Sequence, residues 1–442
     1  MTATQGEPAD GGTATEPRGA SRREVGSWWS WDFGATALNS VMISFVFSVY
    51  VTGTVAGDHA RGQTAWADAQ TVSGIILALL APMMGAWADR TRNRRLMLGA
   101  ATVLMIAATA GGWFVKPFPE YLLLGVLLLT VAAVVQELAG VFYNGMLLRI
   151  STRDNIGRVS AIGWGAGYFG GVLCLVIVLF GFVLNGGLLG VPTAELANVR
   201  AVALFCAVWM TLFCLPLVIW GPRDVPQPDR PRFNVVAAYR EIGRRIGHMW
   251  RDERPLLHFL VASAVFRDGL VAVFSFGGVI AASAYGFSPT GVIYFGLAAN
   301  AIAMLGAWLM SGLDDRFGPW RVIVGSLAVI ILAGLVLIVL HTTLAFWICG
   351  LIISSQVGTV QSASRTLLAR LAPVGEENET FGLYATTGRV ASFIAPALVG
   401  LFTRVFGVDW GILGIVVTLA LGLAIFYPLR VPGVTDRRAA TG

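Results

Sequence analysis

The stretch Gly85-Ala-Trp-Ala-Asp89-Arg90-Thr-Arg-Asn-Arg94-Arg95 decides how this chain is read. It closes an apolar segment near 66–88 with one acid and four arginines in seven residues. Charge at that density cannot stay in hydrocarbon, so it marks a point where the chain leaves a membrane. A weaker copy, Ser311-Gly-Leu-Asp-Asp315-Arg316-Phe-Gly318-Pro-Trp-Arg321, closes another apolar segment near 289–312. Asp89 and Asp315 stand 226 positions apart, about half of the 442-residue chain. Two further acids inside apolar segments, Asp32 and Asp268, stand 236 apart. The ten-residue difference matches a first outer loop, Gly53 to Ala65, longer than the Tyr285–Thr290 turn. This is an internal repeat, and transporter folds built on such repeats place their site near midplane, where the halves meet.

Composition supports the membrane reading. Hydrophobic residues make up 56% of the chain, charged residues 13%, and mean hydropathy is +0.72. Soluble domains carry about 45–50% apolar and about 25% charged residues. Apolar segments fall near 28–52, 66–88, 96–115, 121–147, 160–184 and 200–221, then near 256–286, 289–312, 322–341, 344–368, 381–405 and 409–429. Each is long enough to cross a hydrocarbon core of about 30 Å as a helix. The expected fold class is therefore an all-α membrane protein, with twelve transmembrane helices in two pseudo-symmetric six-helix bundles. The expected segments are a disordered tail (1–27), an N-terminal bundle (28–221), a linker (222–255), a C-terminal bundle (256–430) and a tail (431–442). The linker opens with prolines that rule out continuous helix, then runs into AYREIGRRIGHMWRDER, a candidate basic amphipathic helix at the membrane face.

The formal charge of +6 and the pI near 9.4 do not point to nucleic acid. Lys116 is the only lysine, and the arginines gather in alternate inter-span segments: 90–95, 149–158, 223–254, 316–321, 365–370 and 430–438. By the positive-inside rule both termini are cytoplasmic, in the cell membrane. Cys174, Cys206, Cys214 and Cys349 all lie in apolar segments without CxxC spacing, so they read as small packing residues. The N-terminal stretch lacks a signal-peptide core.

At the two Asp-Arg turns the chain resembles the major facilitator superfamily, whose signature turn follows its second helix. The second copy departs from that pattern where Ser311 replaces the first glycine. Trp31-Asp-Phe-Gly-Ala-Thr-Ala, Phe142-Tyr-Asn144, the 157–168 stretch, Arg267-Asp-Gly, Gln361-Ser-Ala-Ser-Arg365 and Phe381-Gly-Leu-Tyr narrow the match. Together they resemble the "unknown major facilitator" branch, similar to fungal vacuolar amino-acid effluxers. The resemblance implies the major facilitator fold and amino-acid-like solutes. It also implies that Gly85, Asp89, Arg90, Arg94, Asp315, Arg316, Gly318 and Arg321 form gating turns that clasp and release the cytoplasmic ends of the halves.

Ionisable groups deep in a bilayer cost several kcal/mol unless paired or wet, so each requires an explanation. Asp32, within Trp28-Trp-Ser-Trp31-Asp32, reads either as a solvated acid in an interfacial tryptophan belt or as a cavity carboxylate binding a cation or proton. Glu137 lies mid-segment with no basic neighbour within a turn, so its partner comes from another helix. A glutamate withdrawn from water can take up and release a proton as its surroundings change, which makes it the first choice for proton coupling. Asn144 lies two turns further on. Arg267 and Asp268 point about 100° apart and need not pair with each other, while Gly269 offers a point where the helix can open. Arg389, beside Gly388, suits a carboxylate on solute or protein. A structural ion pair between Arg389 or Arg267 and one of the acids is the competing reading.

Gly165-Ala-Gly167-Tyr-Phe-Gly170 matches GxGxxG but follows no strand, so it is not read as a dinucleotide site. Gly163, Gly167, Gly170 and Gly171 are read instead as close helix packing. No P-loop or hydrolase motif appears, and no enzymatic activity, cofactor or metal is expected. The expected function is a secondary transporter that moves a small-molecule solute, an amino acid or related zwitterion, by alternating access with protons as coupling ion. The bilayer is its other expected partner, nucleic acid is not one, and a monomer is expected. A non-transporting receptor or scaffold is the alternative, and a membrane-embedded enzyme ranks below that.

Overall fold

The computed structural model describes residues 21–90, 94–150, 156–184, 187–222, 235–309, 317–371 and 377–429. Among them there is no strand, and the helices fall into two sets. The first set comprises α1 (Arg22–Ala37), α2 (His59–Arg90), α3 (Arg94–Gly111), α4 (Leu122–Ile150), α5 (Ile156–Val178) and α6 (Ala197–Trp220). A linker helix follows, α7 (Val235–Asp252). The second set comprises α8 (Arg254–Tyr285), α9 (Pro289–Leu309), α10 (Pro319–Val339), α11 (Thr343–Leu371), the pair α12 (Glu377–Val390) and α13 (Ile394–Phe406), and α14 (Gly411–Phe426).

Ten helical stretches among the described residues are long and apolar enough to cross a membrane. The 32-residue α2 carries Arg61 and Asp68 near its start, and α9 contributes a shorter apolar helix, Pro289–Ala303. By length and composition, ten of the twelve segments read from the sequence qualify among the described residues.

The repeat is visible in the packing. In the first set α1 lies against α5 and α6, α3 against α4 and α6, and α2 against α4. In the second set α8 lies against α12, α13 and α14, α10 against α11 and α14, and α9 against α11. Each contact recurs half a chain later. Between the sets, α2 runs along α12 and α13, and α5 meets α9.

Three local features of the helices shape the interior. The first span continues from α1 through two π-helical stretches, Leu38–Phe45 and Tyr50–Val55, with a kink at Val46 (φ −124°, ψ −69°). π turns occur mostly as short insertions in α-helices, often at functional sites. The span starts at Arg22, inside the stretch 1–27 expected as a tail. Ser21 caps it, its hydroxyl accepting from the Glu24 amide while Glu24 accepts from the Ser21 amide. The second is in the eleventh segment, expected as one helix over 381–405. It breaks at 391–393 into α12 and α13. Pro396 explains the break: it has no amide to donate to the carbonyl at 392, and its ring clashes with that carbonyl. Third, α8 runs unbroken through Gly269. A Cβ there would lie 2.7 Å from the Leu419 side chain, so this glycine admits α14 and does not open the helix.

Candidate functional site

The first span supplies a half-buried acid, Asp32. Asp32 faces α5, where a Cβ on Gly167 would sit 2.8 Å from its Oδ2. Gly163, Gly170 and Gly171 follow the same line against Trp28, Phe33 and Ser40, so the glycine run is the seam along which α1 and α5 approach. The neighbouring tryptophans are not an interfacial belt. Trp28 and Trp31 are buried and both stack on Tyr143 of α4, at 4.4 and 4.6 Å between ring centroids. Trp28 Nε1 donates to the Tyr143 carbonyl (3.0 Å), Trp29 Nε1 to that of Val159 (3.1 Å) and Trp31 Nε1 to Thr102 Oγ1 (3.2 Å). Tryptophans otherwise suited to a headgroup layer therefore tie α1 to α3, α4 and α5. No described side chain donates a hydrogen bond to the Asp32 carboxylate, and no described cation pairs with it. Tyr143 and Tyr168 lie within electrostatic reach of it, and the buried Tyr143 hydroxyl has no hydrogen-bond partner among the described residues.

Glu137 and Arg389 come together from opposite halves. Arg389 Nε donates to Glu137 Oε2 at 3.1 Å, joining α4 to the last turn of α12. The glutamate side chain is 49% exposed and the arginine 18%, so Glu137 is not withdrawn from water as its mid-segment position suggested, because it opens toward the space between the halves where Arg389 meets it. Gly140, one turn after Glu137, leaves room for the guanidinium, with Arg389 Nη2 3.2 Å from where a Cβ would lie. Gln136 turns the other way and donates to the Ala35 carbonyl (3.1 Å), fixing α4 against α1. Asn144 is exposed on α4.

Arg267 and Asp268, adjacent in α8, part company as their 100° separation requires. Arg267 Nη1 donates to the Tyr384 carbonyl at 2.7 Å, and its guanidinium lies 4.0 Å from the Tyr384 ring centroid. Such a contact over an aromatic face is worth about 0.5–2 kcal/mol. Gly388 makes room for it. Asp268, 4% exposed, accepts from the Ala395 amide at 2.6 Å and shares the Ile394 amide with the Ala391 carbonyl (3.1 Å). These are the first amides of α13, which have no partner within their own helix. The carboxylate thus caps, from a neighbouring span, the helix that Pro396 forces to restart.

Arg365 is a member of this neighbourhood that its position in the sequence concealed. Reading it as a charge closing the tenth span assigns it to the membrane edge, but it lies within electrostatic reach of Arg267, Tyr384 and Tyr168. The signal available in sequence was its place in Gln361-Ser-Ala-Ser-Arg365, where polar residues interrupt a helix one turn before the edge. Apart from Asp268, which is taken up by the amides that open α13, the charges are sorted between the halves: Asp32 and Glu137 on the first set, Arg267, Arg365 and Arg389 on the second.

A second polar cluster joins the halves at the end remote from α7. Gln63 of α2 donates to Thr403 Oγ1 (2.7 Å) and to the Val408 carbonyl (3.4 Å), and accepts from Ser283 Oγ (2.8 Å). Trp66 Nε1 donates to the Ser275 carbonyl (3.3 Å), and Arg404 pairs with Asp68. Gly278 approaches the Ser44 carbonyl of the first span. None of these residues was expected as a gate. Of those that were, Gly318 (φ 81°) precedes α10 and Arg321 is exposed on its first turn. Asp315 and Arg316 lie outside the described residues, as do the side chains of Gly85, Asp89, Arg90 and Arg94. Arg95, next to them, donates to the carbonyls of Val218, Ile219 and Gly221, neutralising the end of α6.

Two packed helical sets, each repeating the contacts of the other, with Glu137 and Arg389 paired between them, define a major facilitator transporter. The solved structures agree on the fold. A D-xylose-proton symporter superposes with a TM-score of 0.68 at 13% identity, covering 92% of this chain and 97% of its own. A bacterial homologue of the human lysosomal transporter Spinster gives 0.62 at 13%, covering 94% and 97%. The profile described as "Vacuole effluxer Atg22 like" matches residues 68–432, and the chain belongs to that family. The Bacillus subtilis MFS-type transporter YxiO is 24% identical over 407 residues, 91% of this chain and 94% of that protein. Autophagy-related protein 22 of Cryptococcus neoformans is 26% identical over 288 residues, 61% of this chain and 49% of that protein. The match to this fungal relative thus spans about half its length.

Proposed function

We propose that this transporter moves a small zwitterion of the amino-acid type by alternating access, with protonation of Glu137 as the coupling event. The observation that carries the reading is the Glu137–Arg389 pair, which ties the two halves together. A proton on Glu137 removes the charge that holds Arg389. The guanidinium then becomes available to a solute carboxylate, and the solute ammonium has an unpaired acid, Asp32, on the facing half. Sorting of acids to one half and arginines to the other is what a zwitterion bridging them requires. The half-exposed pair is itself worth only about 0–1 kcal/mol, so a proton suffices to break it.

We read α2 and α9 as the eleventh and twelfth membrane crossings, and both termini as cytoplasmic in the cell membrane. The arginine distribution supports this, and protease access to tags at each terminus in intact cells tests it.

The deciding experiment is solute counterflow in proteoliposomes across amino acids, peptides and sugars, with and without a pH gradient. Zwitterionic amino acids should exchange, faster with the gradient. Glu137→Gln should retain exchange but lose its response to the gradient, while Arg389→Ala should lose exchange by about tenfold or more, the loss of one charge-assisted contact. Wild-type behaviour in both variants removes the assignment.

A further inference from the structure

The linker helix α7 presents two faces that the transport site does not use. Met249 is 2% exposed and points into the bundle, where α7 packs on α2 and α8. Ile246 and Trp250, one turn apart, are instead 47% and 66% exposed. At about 100° per residue they share a stripe roughly 80° round the helix from Met249. Arg240, Arg244 and Arg251 fall within about 40° of one another on a third stripe, about 120° beyond the apolar pair. All three are exposed.

Residues 240–254 contain five arginines against three acids, Glu241, Asp252 and Glu253. His248 faces two of those acids, with Nε2 3.4 Å from Asp252 and Nδ1 3.8 Å from Glu253. Arg254 turns back to donate to the Trp250 carbonyl (3.0 Å). The outward side of α7 therefore combines a large aromatic and a branched apolar residue with a separate row of cations. A helix of this design lies in the plane of a bilayer surface, with its apolar stripe sunk to the acyl boundary and its cations among the phosphates. A protein partner would need no such separation of cation row from apolar pair.

We infer that α7 is a docking surface for anionic phospholipid, with Trp250 and Ile246 inserted between headgroups and Arg240, Arg244 and Arg251 binding their phosphates. The only covalent link between the halves would then be moored to the membrane, and its mooring would depend on lipid charge.

Hydrogen–deuterium exchange on the full chain in nanodiscs tests this. The discs are phosphatidylcholine alone, or phosphatidylcholine with phosphatidylglycerol. Amides 240–252 should exchange more slowly in the anionic discs, by about tenfold or more, because the negative surface potential holds each basic residue near it. High salt should abolish the difference. The triple variant Arg240→Gln, Arg244→Gln, Arg251→Gln should exchange alike in both discs, and Ile246→Ser with Trp250→Ser should lose protection in both. All five side chains are exposed, so the bundles remain folded, as slow exchange in α1 and α8 verifies. Equal exchange of the wild type in the two discs overturns the inference. Protection independent of lipid charge that grows with the number of chains per disc also overturns it, assigning the stripe to a second copy.

Discussion

At the scale of single residues the controlling contact is between a glycine and an acid. Asp32 keeps its carboxylate unpaired because Gly167 leaves it room. Gly167→Ala would place a methyl 2.8 Å from Oδ2 and 3.1 Å from Thr36 Oγ1, so α1 and α5 must part or the carboxylate must turn. We expect this variant to lose most exchange activity and about 1–3 kcal/mol of stability, the usual cost of overpacking. Gly165→Ala, with nothing within 4 Å, should match the wild type in both counterflow and thermal unfolding. Hydropathy located Asp32, Glu137, Asp268 and Arg389 because depth in a membrane is written along the chain. It did not say where each points, because azimuth depends on which helix stands beside it. That is why Asp268, the repeat partner of Asp32, turned out to hold two amides, and why Arg365 passed as an edge charge.

At the scale of the helix the informative element is the divided α12–α13 segment. Its apolar content over 381–405 reads as one span, and Pro396 was the visible warning. A proline in a first turn costs little, but it requires something to satisfy the amides it strands. Here that is Asp268, and the cap also fixes the last turn of α12, which aims Arg389 at Glu137. Asp268→Ala should destabilise the protein by about 1–3 kcal/mol, the cost of an unmet buried donor. Asp268→Asn keeps an acceptor oxygen and should recover part of the loss. Thermal unfolding in detergent measures both. If Asp268 bound the solute instead, the two variants would lose exchange equally while melting like the wild type.

At the scale of the whole molecule, Gln63, Trp66 and Asp68 of α2 hold the second set at the end away from α7. The structure is therefore closed on that side, with Gln63 central to the closure. The repeat foretold two bundles and a gate at the Asp-Arg turns. It could not foretell this second clasp, because Gln63, Thr403 and Ser283 carry no charge and no spacing that distinguishes them from packing residues. Gln63→Ala with Thr403→Ala removes hydrogen bonds worth about 1 kcal/mol each, so the equilibrium should shift toward opening on the far side by roughly tenfold or more. Labelling of a cysteine placed at Ser275 by a membrane-impermeant reagent reads that shift; unchanged labelling would remove Gln63 from the gate.

Gln63 also meets two helices of the opposite half at once, through a donor to one and an acceptor from the other. The two cannot be released in sequence without leaving a polar group dry, so they break together. In an apolar setting each bond is worth roughly 4–6 kcal/mol before water replaces it. Turnover should therefore climb steeply with warming, and the Arrhenius slope should flatten when Gln63 is replaced. Working temperature, as much as solute gradient, would then set how fast this carrier cycles.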